Sequence, residues 1–387
     1  MKSRLKVSQL LVWPVLLFLL LFLFFPGPAR ADGPGRDQLV TGLIDGRPFS
    51  FSLDSLRSRT ACLLVFRDGE GFDLLHYRHD ERVYTASLTK IMTACLAYDL
   101  MEEQGCGLDD RVQVLAVDLE GLQELNASLA GFGAGESVTY RDLFHGLLIS
   151  SGCDAANTLA RVTAGSVREF VALMNEKART LKLAGTRYAN ATGLFHPDNY
   201  GTARDVAVLL GLVLENPFLR EVMTVRHYRS KATSQHPQGI DMRHYLTYYS
   251  QVAGIDSSSI EGGKTGQLKE SGYCLASFKE IQGLTFVLCT TGADEPGGHL
   301  TDHVSVYQAL AEQLPADEMA ITGIGDRPMP TPPPAESEAE ESEKPAAAKG
   351  PQAVINIVSA LLLGTIALLL LFLFFSLVIR RKIEKEL

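Results

Sequence analysis

Tyr84-Thr85-Ala86-Ser87-Leu88-Thr89-Lys90-Ile91-Met92-Thr93-Ala94 reads as the start of a helix. Ser87 sits near its entry, and an apolar, alanine-containing run follows. Ser87 and Lys90 are three residues apart, so on a helix they share one face. A serine hydroxyl attacks poorly until a base takes its proton. A lysine serves as that base only in its neutral form, which burial or a nearby cation brings about. Ala86, Leu88 and Ile91 supply apolar surroundings. Backbone N–H groups at the free helix end, Ser87's own among them, are donors for a developing oxyanion. Serine and lysine at this spacing are also common on solvated helices, so the pair alone does not separate a nucleophile from a surface helix. Two later triplets add to it: Ser151-Gly152-Cys153 and Lys264-Thr265-Gly266.

Upstream of the helix, residues 60–66 and 72–77 are rich in β formers and flank the turn Arg67-Asp68-Gly69-Glu70-Gly71, a hairpin signal. Residues 32–59 are polar and turn-rich, with no assigned role. Downstream, the Ser87 helix is predicted to run to about Glu103, with Gly105 as its stop. Gly131, Gly133 and Gly135 resemble a phosphate loop in spacing, but no strand precedes them and no lysine follows, so residues 111–135 read as a loop. Thr139 caps a predicted helix over 140–149, with Asp142 at its third position. Ser150-Ser151-Gly152 interrupts it, and Asp154 opens the next helix, with Ala155, Leu159 and Val162 on its core face. A serine at such a junction projects into a cleft. Further helices are predicted over 167–181 and 202–214, the latter carrying Arg204 and Asp205 in its first turn, and Asn190-Ala191-Thr192-Gly193-Leu194 reads as a turn. The chain is thus mainly helical from Lys90 to about Glu221, and β signals return from Val222. Residues 261–267, 273–278 and 284–291 read as successive antiparallel strands, and 303–314 as a closing helix. Strands at both ends of a helical insertion predict an α/β architecture: an antiparallel sheet flanked by helices, with an inserted mainly helical subdomain.

The ends are of another kind. Lys2, Arg4 and Lys6 precede an apolar run from Leu10 to Phe25, then Pro26-Gly27-Pro28 and Ala29-Arg30-Ala31. This predicts a signal peptide over 1–31, cleaved after Ala31; an uncleaved signal anchor is the alternative. Residues 325–352 carry Pro328, Pro330, Pro332, Pro333 and Pro334, then five glutamates between Glu336 and Glu343, a solvated linker. Residues 353–379 are apolar and uncharged, long enough for a transmembrane helix. Arg380, Arg381, Lys382 and Lys385 in the tail, 380–387, keep that end cytoplasmic, so the domain faces out. A net charge of −9 with no basic cluster outside the termini argues against nucleic acid. The six cysteines form no CxxC or Cys/His metal spacing, so no metal is indicated, and no cofactor either. Most are expected to be buried thiols. Cys274 and Cys289 fall on adjacent predicted strands, and face each other if Lys279 pairs with Leu284; a register shift of two separates them, and free thiols are expected.

ASLTKIMT at 86–93, GESVTYRDLFHGLLISSGCDAAN at 135–157, TARD at 202–205, and EGGKTG at 261–266 followed by GYCLAS at 272–277 together resemble the D-alanyl-D-alanine carboxypeptidases, low-molecular-mass penicillin-binding serine peptidases of the SxxK type. The likeness spans about residues 61–314, inside a catalytic domain drawn at 60–324. It implies a β-lactamase/transpeptidase-like fold. It also implies that Ser87 is the acylated nucleophile, Lys90 its general base and Ser151 a proton relay to the leaving D-alanine. Lys264 and Thr265 would hold the substrate carboxylate, while Gly266 would admit the substrate backbone. The implied partners are a peptidoglycan stem peptide ending in D-Ala-D-Ala, and β-lactams as inhibitors. The implied setting is the bacterial cell membrane, with the catalytic domain extracytoplasmic and tethered by the C-terminal helix. Two positions depart from the family: Cys153 stands where asparagine is usual, and Leu268 where threonine is common. Asn157, one helical turn on, is the candidate substitute for that asparagine. Arg204 is the further substrate-binding candidate, for the carboxylate or for an acid of the fold. The rival readings are a non-hydrolytic wall-binding homologue, motivated by Cys153, and a β-lactamase using Glu169 or Glu176 to activate water.

Overall fold

The structure, a computed structural model, describes residues 39–44, 46–67, 70–314 and 321–322. The signal peptide, the linker, the transmembrane segment and the tail expected from the sequence all lie outside them. Among the described residues, no helix is long and apolar enough to cross a membrane.

The strands are, in chain order, β1 (Val40–Thr41), β2 (Leu43–Ile44), β3 (Arg47–Pro48), β4 (Thr60–Arg67), β5 (Glu70–Tyr77), β6 (Arg111–Gln113), β7 (Ser137–Thr139), β8 (His227–Arg229), β9 (Asp241–Arg243), β10 (Gly262–Leu268), β11 (Gly272–Ile281), β12 (Leu284–Ala293) and β13 (Ile321–Thr322). Six of them form one sheet in the order β1-β5-β4-β12-β11-β10. All its pairings are antiparallel. The helices are α1 (Thr89–Glu103), α2 (Ala116–Leu119), α3 (Tyr140–Leu148), α4 (Cys153–Ala164), α5 (Val167–Thr180), α6 (Ala203–Val213), α7 (Pro217–Thr224), α8 (Tyr245–Ala253) and α9 (Gly298–Gln313).

The sheet is covered on both faces. Cys62, Leu64 and Phe66 of β4 join a core with α1 and α3–α6, while Ala61, Leu63 and Val65 join a second core with α9. A strand buried on both sides needs no polar face. That is why the sequence of β4 alternates so weakly.

The predicted hairpin, helical insertion and late strands are present, with three differences. Residues 39–59, given no role, supply the edge strand β1 against β5, β2 against β13, and β3 against β2. The helical part extends past Glu221 through α7, and α8 lies beyond Val222, where β signals return and no helix is predicted before 303–314. Its tyrosines are β formers, but Leu246 and Tyr249 bury one helical stripe, His244 Nδ1 caps the Leu246 N–H at 3.0 Å, and Gly254 ends the helix in the left-handed region. Packing and caps outweigh propensity there. Third, Gln282 and Gly283 make a two-residue turn with φ of 52° and 75°. This tight turn pairs Ile281 with Leu284 and Lys279 with Phe286, two residues from the Lys279–Leu284 register. Ala276 therefore lies opposite Cys289, and an irregularity between Tyr273 and Leu275 leaves Cys274 out of register. On its other side Cys289 faces Cys62. All six cysteines are free thiols.

Candidate active site

Ser87 lies in a 3-10 turn, Ala86–Leu88, that leads straight into α1. The turn packs against the edge strand β10. Ala86, just before the serine, has φ of +48°, in the left-handed region. Two glycines leave room around this turn. A Cβ at Gly193 would fall 2.0 Å from Ala86 O; one at Gly266 would fall 3.1 Å from Thr85 O and 3.2 Å from Ser87 N. Gly266 thus keeps the Ser87 N–H side open, in addition to the role expected of it.

Lys90 follows one helical turn after Ser87 and is fully buried. Its Nζ lies 3.1 Å from Ser87 Oγ and 3.5 Å from Cys153 Sγ. It also donates to the carbonyl of Thr192. That carbonyl was not foreseen from the sequence. It is delivered by the 190–194 turn, in which Asn190 Oδ1 accepts from Thr192 N at 3.2 Å, Thr192 Oγ1 at 3.1 Å and Gly193 N at 2.7 Å. The asparagine and glycine of this turn were the available signal.

Ser151 stands at the α3–α4 junction with φ of +55°. A non-glycine residue held there costs about 1–3 kcal/mol and persists when its surroundings fix it. Here the surroundings are explicit. Gly152 N donates to Gly146 O and Cys153 N to Ser128 O, both at 2.8 Å. The carboxylate of Asp154, also fully buried, accepts from the N–H groups of Ala130, Gly131 and Phe132 at 2.9, 2.9 and 3.0 Å. The glycine-rich loop is indeed no phosphate loop, because its amides bind a carboxylate of the fold.

Ser151 Oγ accepts from Lys264 Nζ at 2.9 Å, and Lys264 also donates to Thr265 O at 2.8 Å. Lys264 is fully buried on β10. Burial first, and then the charge of Lys90, hold its pKa well below the ordinary lysine value, while Cys153 works weakly the other way. Ser87, Ser151, Thr265 and Gly266 open onto one cleft of about 730 Å³, walled further by Gln267, Asn126, Ser128, Arg243, Tyr245, Tyr248 and Tyr249. The tyrosines come from α8, a helix that was not predicted, so the sequence concealed this wall. Tyr249 OH donates to Gln267 Oε1 at 2.7 Å.

The structure therefore gathers Ser87, Lys90, Ser151, Cys153, Lys264, Thr265 and Gly266, and leaves two candidates elsewhere. Arg204 is not among the described residues that line the cleft. Its guanidinium lies 3.4 Å from Asp73, the acid-pairing alternative. Asn157 Nδ2 donates to Asp118 O at 3.0 Å, so it does not substitute at Lys90. Glu169 pairs with Arg168 on the surface, and neither it nor Glu176 lines the cleft among the described residues.

Residues 60–295 match the protein family described as D-alanyl-D-alanine carboxypeptidase. The D-alanyl-D-alanine carboxypeptidase DacF of Bacillus subtilis is 28% identical over 237 residues, 61% of this chain and 58% of that protein. The D-alanyl-D-alanine carboxypeptidase of Streptomyces sp. K15 is 30% identical over 218 residues, 54% of this chain and 73% of that protein. The chain thus spans less than two thirds of the Bacillus protein. The crystal structure of the Streptomyces K15 DD-transpeptidase superposes with a TM-score of 0.58 at 26% identity, covering 66% of this chain and 97% of that one. Solved variants of that enzyme replace a serine and, two positions later, a cysteine. Ser151 and Cys153 have the same spacing.

Proposed function

The chain belongs to the D-alanyl-D-alanine carboxypeptidase family, and on that premise we propose that it removes the terminal D-alanine from peptidoglycan stem peptides through an acyl-enzyme on Ser87. Lys90 takes the hydroxyl proton, and Ser87 Oγ attacks the carbonyl carbon of the D-Ala-D-Ala bond. The Ser87 N–H, kept open by Gly266, stabilises the oxyanion. Ser151 hands a proton to the departing D-alanine nitrogen and is resupplied along its hydrogen bond to Lys264. Thr265 and Lys264 hold the terminal carboxylate, which draws positive charge to Lys264. Water then cleaves the ester; Lys90 returns its proton to Ser87 Oγ, and the proton given up by the water restores Lys264 through Ser151. Penicillins acylate the same serine.

The observation that carries this reading is the two hydrogen-bonded serine–lysine pairs at one cleft, Ser87 with Lys90 and Ser151 with Lys264. Cys153 fits a working site because Lys90 keeps a second acceptor in Thr192 O. Transfer of the acyl group to an amine in place of water is a second reading, favoured by the Streptomyces DD-transpeptidase and its matching serine-to-cysteine spacing. The sequence of 353–387 supports tethering at the outer face of a bacterial cell membrane. Protease added to intact cells is expected to release the domain by cutting within 325–352; a linker protected from outside would reverse that orientation.

The chemistry is tested by incubating the full chain with a D-Ala-D-Ala peptide and, separately, with a labelled penicillin. Release of D-alanine and a stable label, both lost in Ser87→Ala, are expected. Rapid penicillin turnover would favour a β-lactamase. No reaction with either would favour a non-hydrolytic wall-binding protein.

A further inference from the structure

A second cluster of reactive side chains lies on the same sheet, away from the cleft. Cys62 on β4 stands directly opposite His76 on β5. Residues opposite one another on paired strands share a face. An irregularity between Leu63 and Leu64 then pairs Leu64 with Asp73, so that Leu74 is the extra residue. This bulge brings Asp73 onto the face of His76 although the two are three apart in sequence. The thiol, the carboxylate and the imidazole present ligand atoms that all lie within 4.8 Å of one another. The cleft opens along β10, three strand spacings from β4, roughly 14 Å at the usual strand separation.

Two atoms in the cluster lack hydrogen-bond partners among the described residues. Asp73 is 7% exposed, and its Oδ1 is buried with no hydrogen bond. His76 Nε2 is likewise unsatisfied; it lies 3.3 Å from Asp73 Oδ2 without hydrogen-bond geometry. Buried polar atoms are rarely left so. Arg204 approaches Asp73 through Oδ2 and leaves Oδ1 to another group. On the open side His79 stacks on His76 at 3.7 Å, with its Nε2 3.2 Å from Asp80. Thiolate, imidazole and carboxylate are together the donor set of zinc, and softer than calcium or magnesium would select.

We propose that Cys62, Asp73 and His76 form a zinc site that ties β4 to β5, separate from the peptidase cleft. Binding exchanges the Cys62 S–H proton, released to solvent, for the metal, with no change of oxidation state. The ion's charge meets Asp73, the thiolate and Asp80 against Arg204, which leaves the cluster close to neutral. Neither CxxC nor a short Cys/His spacing announces such a site, because strand register, not sequence distance, assembles it.

The test uses the full chain in detergent, stripped with a chelator and reloaded with zinc or with cobalt(II). One metal per chain is expected, with a rise in Tm, and the cobalt form should show thiolate-to-cobalt charge transfer. The band and the Tm rise should disappear in His76→Gln and Cys62→Ala, while penicillin labelling of Ser87 persists as proof of folding. A cobalt-loaded wild-type chain without the thiolate band would overturn the proposal, and that spectrum decides even where a variant fails to fold. A band undiminished in Cys62→Ala would overturn it as well.

Discussion

Cys153 is the residue beside Lys90 at which the cleft departs from the asparagine that the resemblance leads one to expect. Its sulfur is a weak acceptor 3.5 Å from Lys90 Nζ, where an asparagine carbonyl would be a stronger one. A hydrogen bond of this kind is worth about 0.5–1.5 kcal/mol, so roughly a factor of ten in rate at most. Cys153→Asn is accordingly expected to keep or raise D-alanine release by up to about tenfold, read as kcat/KM on a D-Ala-D-Ala peptide. Loss of activity would mean that the thiol has a role of its own. At this scale Ser87, Lys90, Ser151 and the Lys264 triplet were legible, because each motif is local and its chemistry resides in side chains. Thr192 was not, because it contributes a backbone carbonyl, which no residue identity encodes. Asn157 misled for a geometric reason: one turn along α4, it meets Asp118 rather than the cleft.

Among elements, the α3–α4 junction does the most to shape the site. Asp154 binds three loop amides and stands three residues from Ser151, whose backbone is held in the left-handed region. Asp154→Asn removes the charge and replaces an acceptor oxygen with a donor facing N–H groups. The expected cost is about 3 kcal/mol, the scale of charged hydrogen bonds left unmade. It should appear as a lower urea midpoint together with slower penicillin labelling of Ser87; an unchanged midpoint would remove the junction from the account. Helices with a cap and an amphipathic stripe, such as α3 with Thr139 and Asp142, were legible in the sequence. The helix α8 was not, since its tyrosine-rich sequence favours strand locally and only its packing on β10 and its caps decide otherwise. The β11–β12 register was left open by the sequence, and the two-residue turn at Gln282 and Gly283 decides it: the shift of two from the four-residue turn that would align Cys274 with Cys289 takes the two out of register.

At the scale of the molecule, a sheet buried on both faces carries Lys264, and the helix α1 beside it carries Lys90, both fully out of solvent. This has a consequence for stability. Lys264 holds its proton less tightly folded than unfolded, through burial and then Lys90. The unfolded chain therefore binds more protons between the lowered value and the ordinary lysine value, and stability rises with pH across that window. Urea midpoints followed from about pH 6 to about pH 10 should climb in wild type, and Lys264→Met should be more stable near neutrality and flatten the climb. A parallel pH dependence in the two proteins would contradict this. Burying Lys264 thus costs stability near neutrality. The α/β class and the order of its parts were legible because helical and strand periodicities segregate along the chain. The edge strand β1 was not, being two residues long and defined only by its pairing with β5. The account rests on the serine that this scaffold brings beside Lys90, and the most direct measurement is the site of covalent modification. The full chain, reacted with penicillin, digested and mapped by mass spectrometry, should carry one acyl adduct on the peptide containing Ser87 and none in Ser87→Ala. An adduct on any other residue, or one that persists in Ser87→Ala, would contradict it.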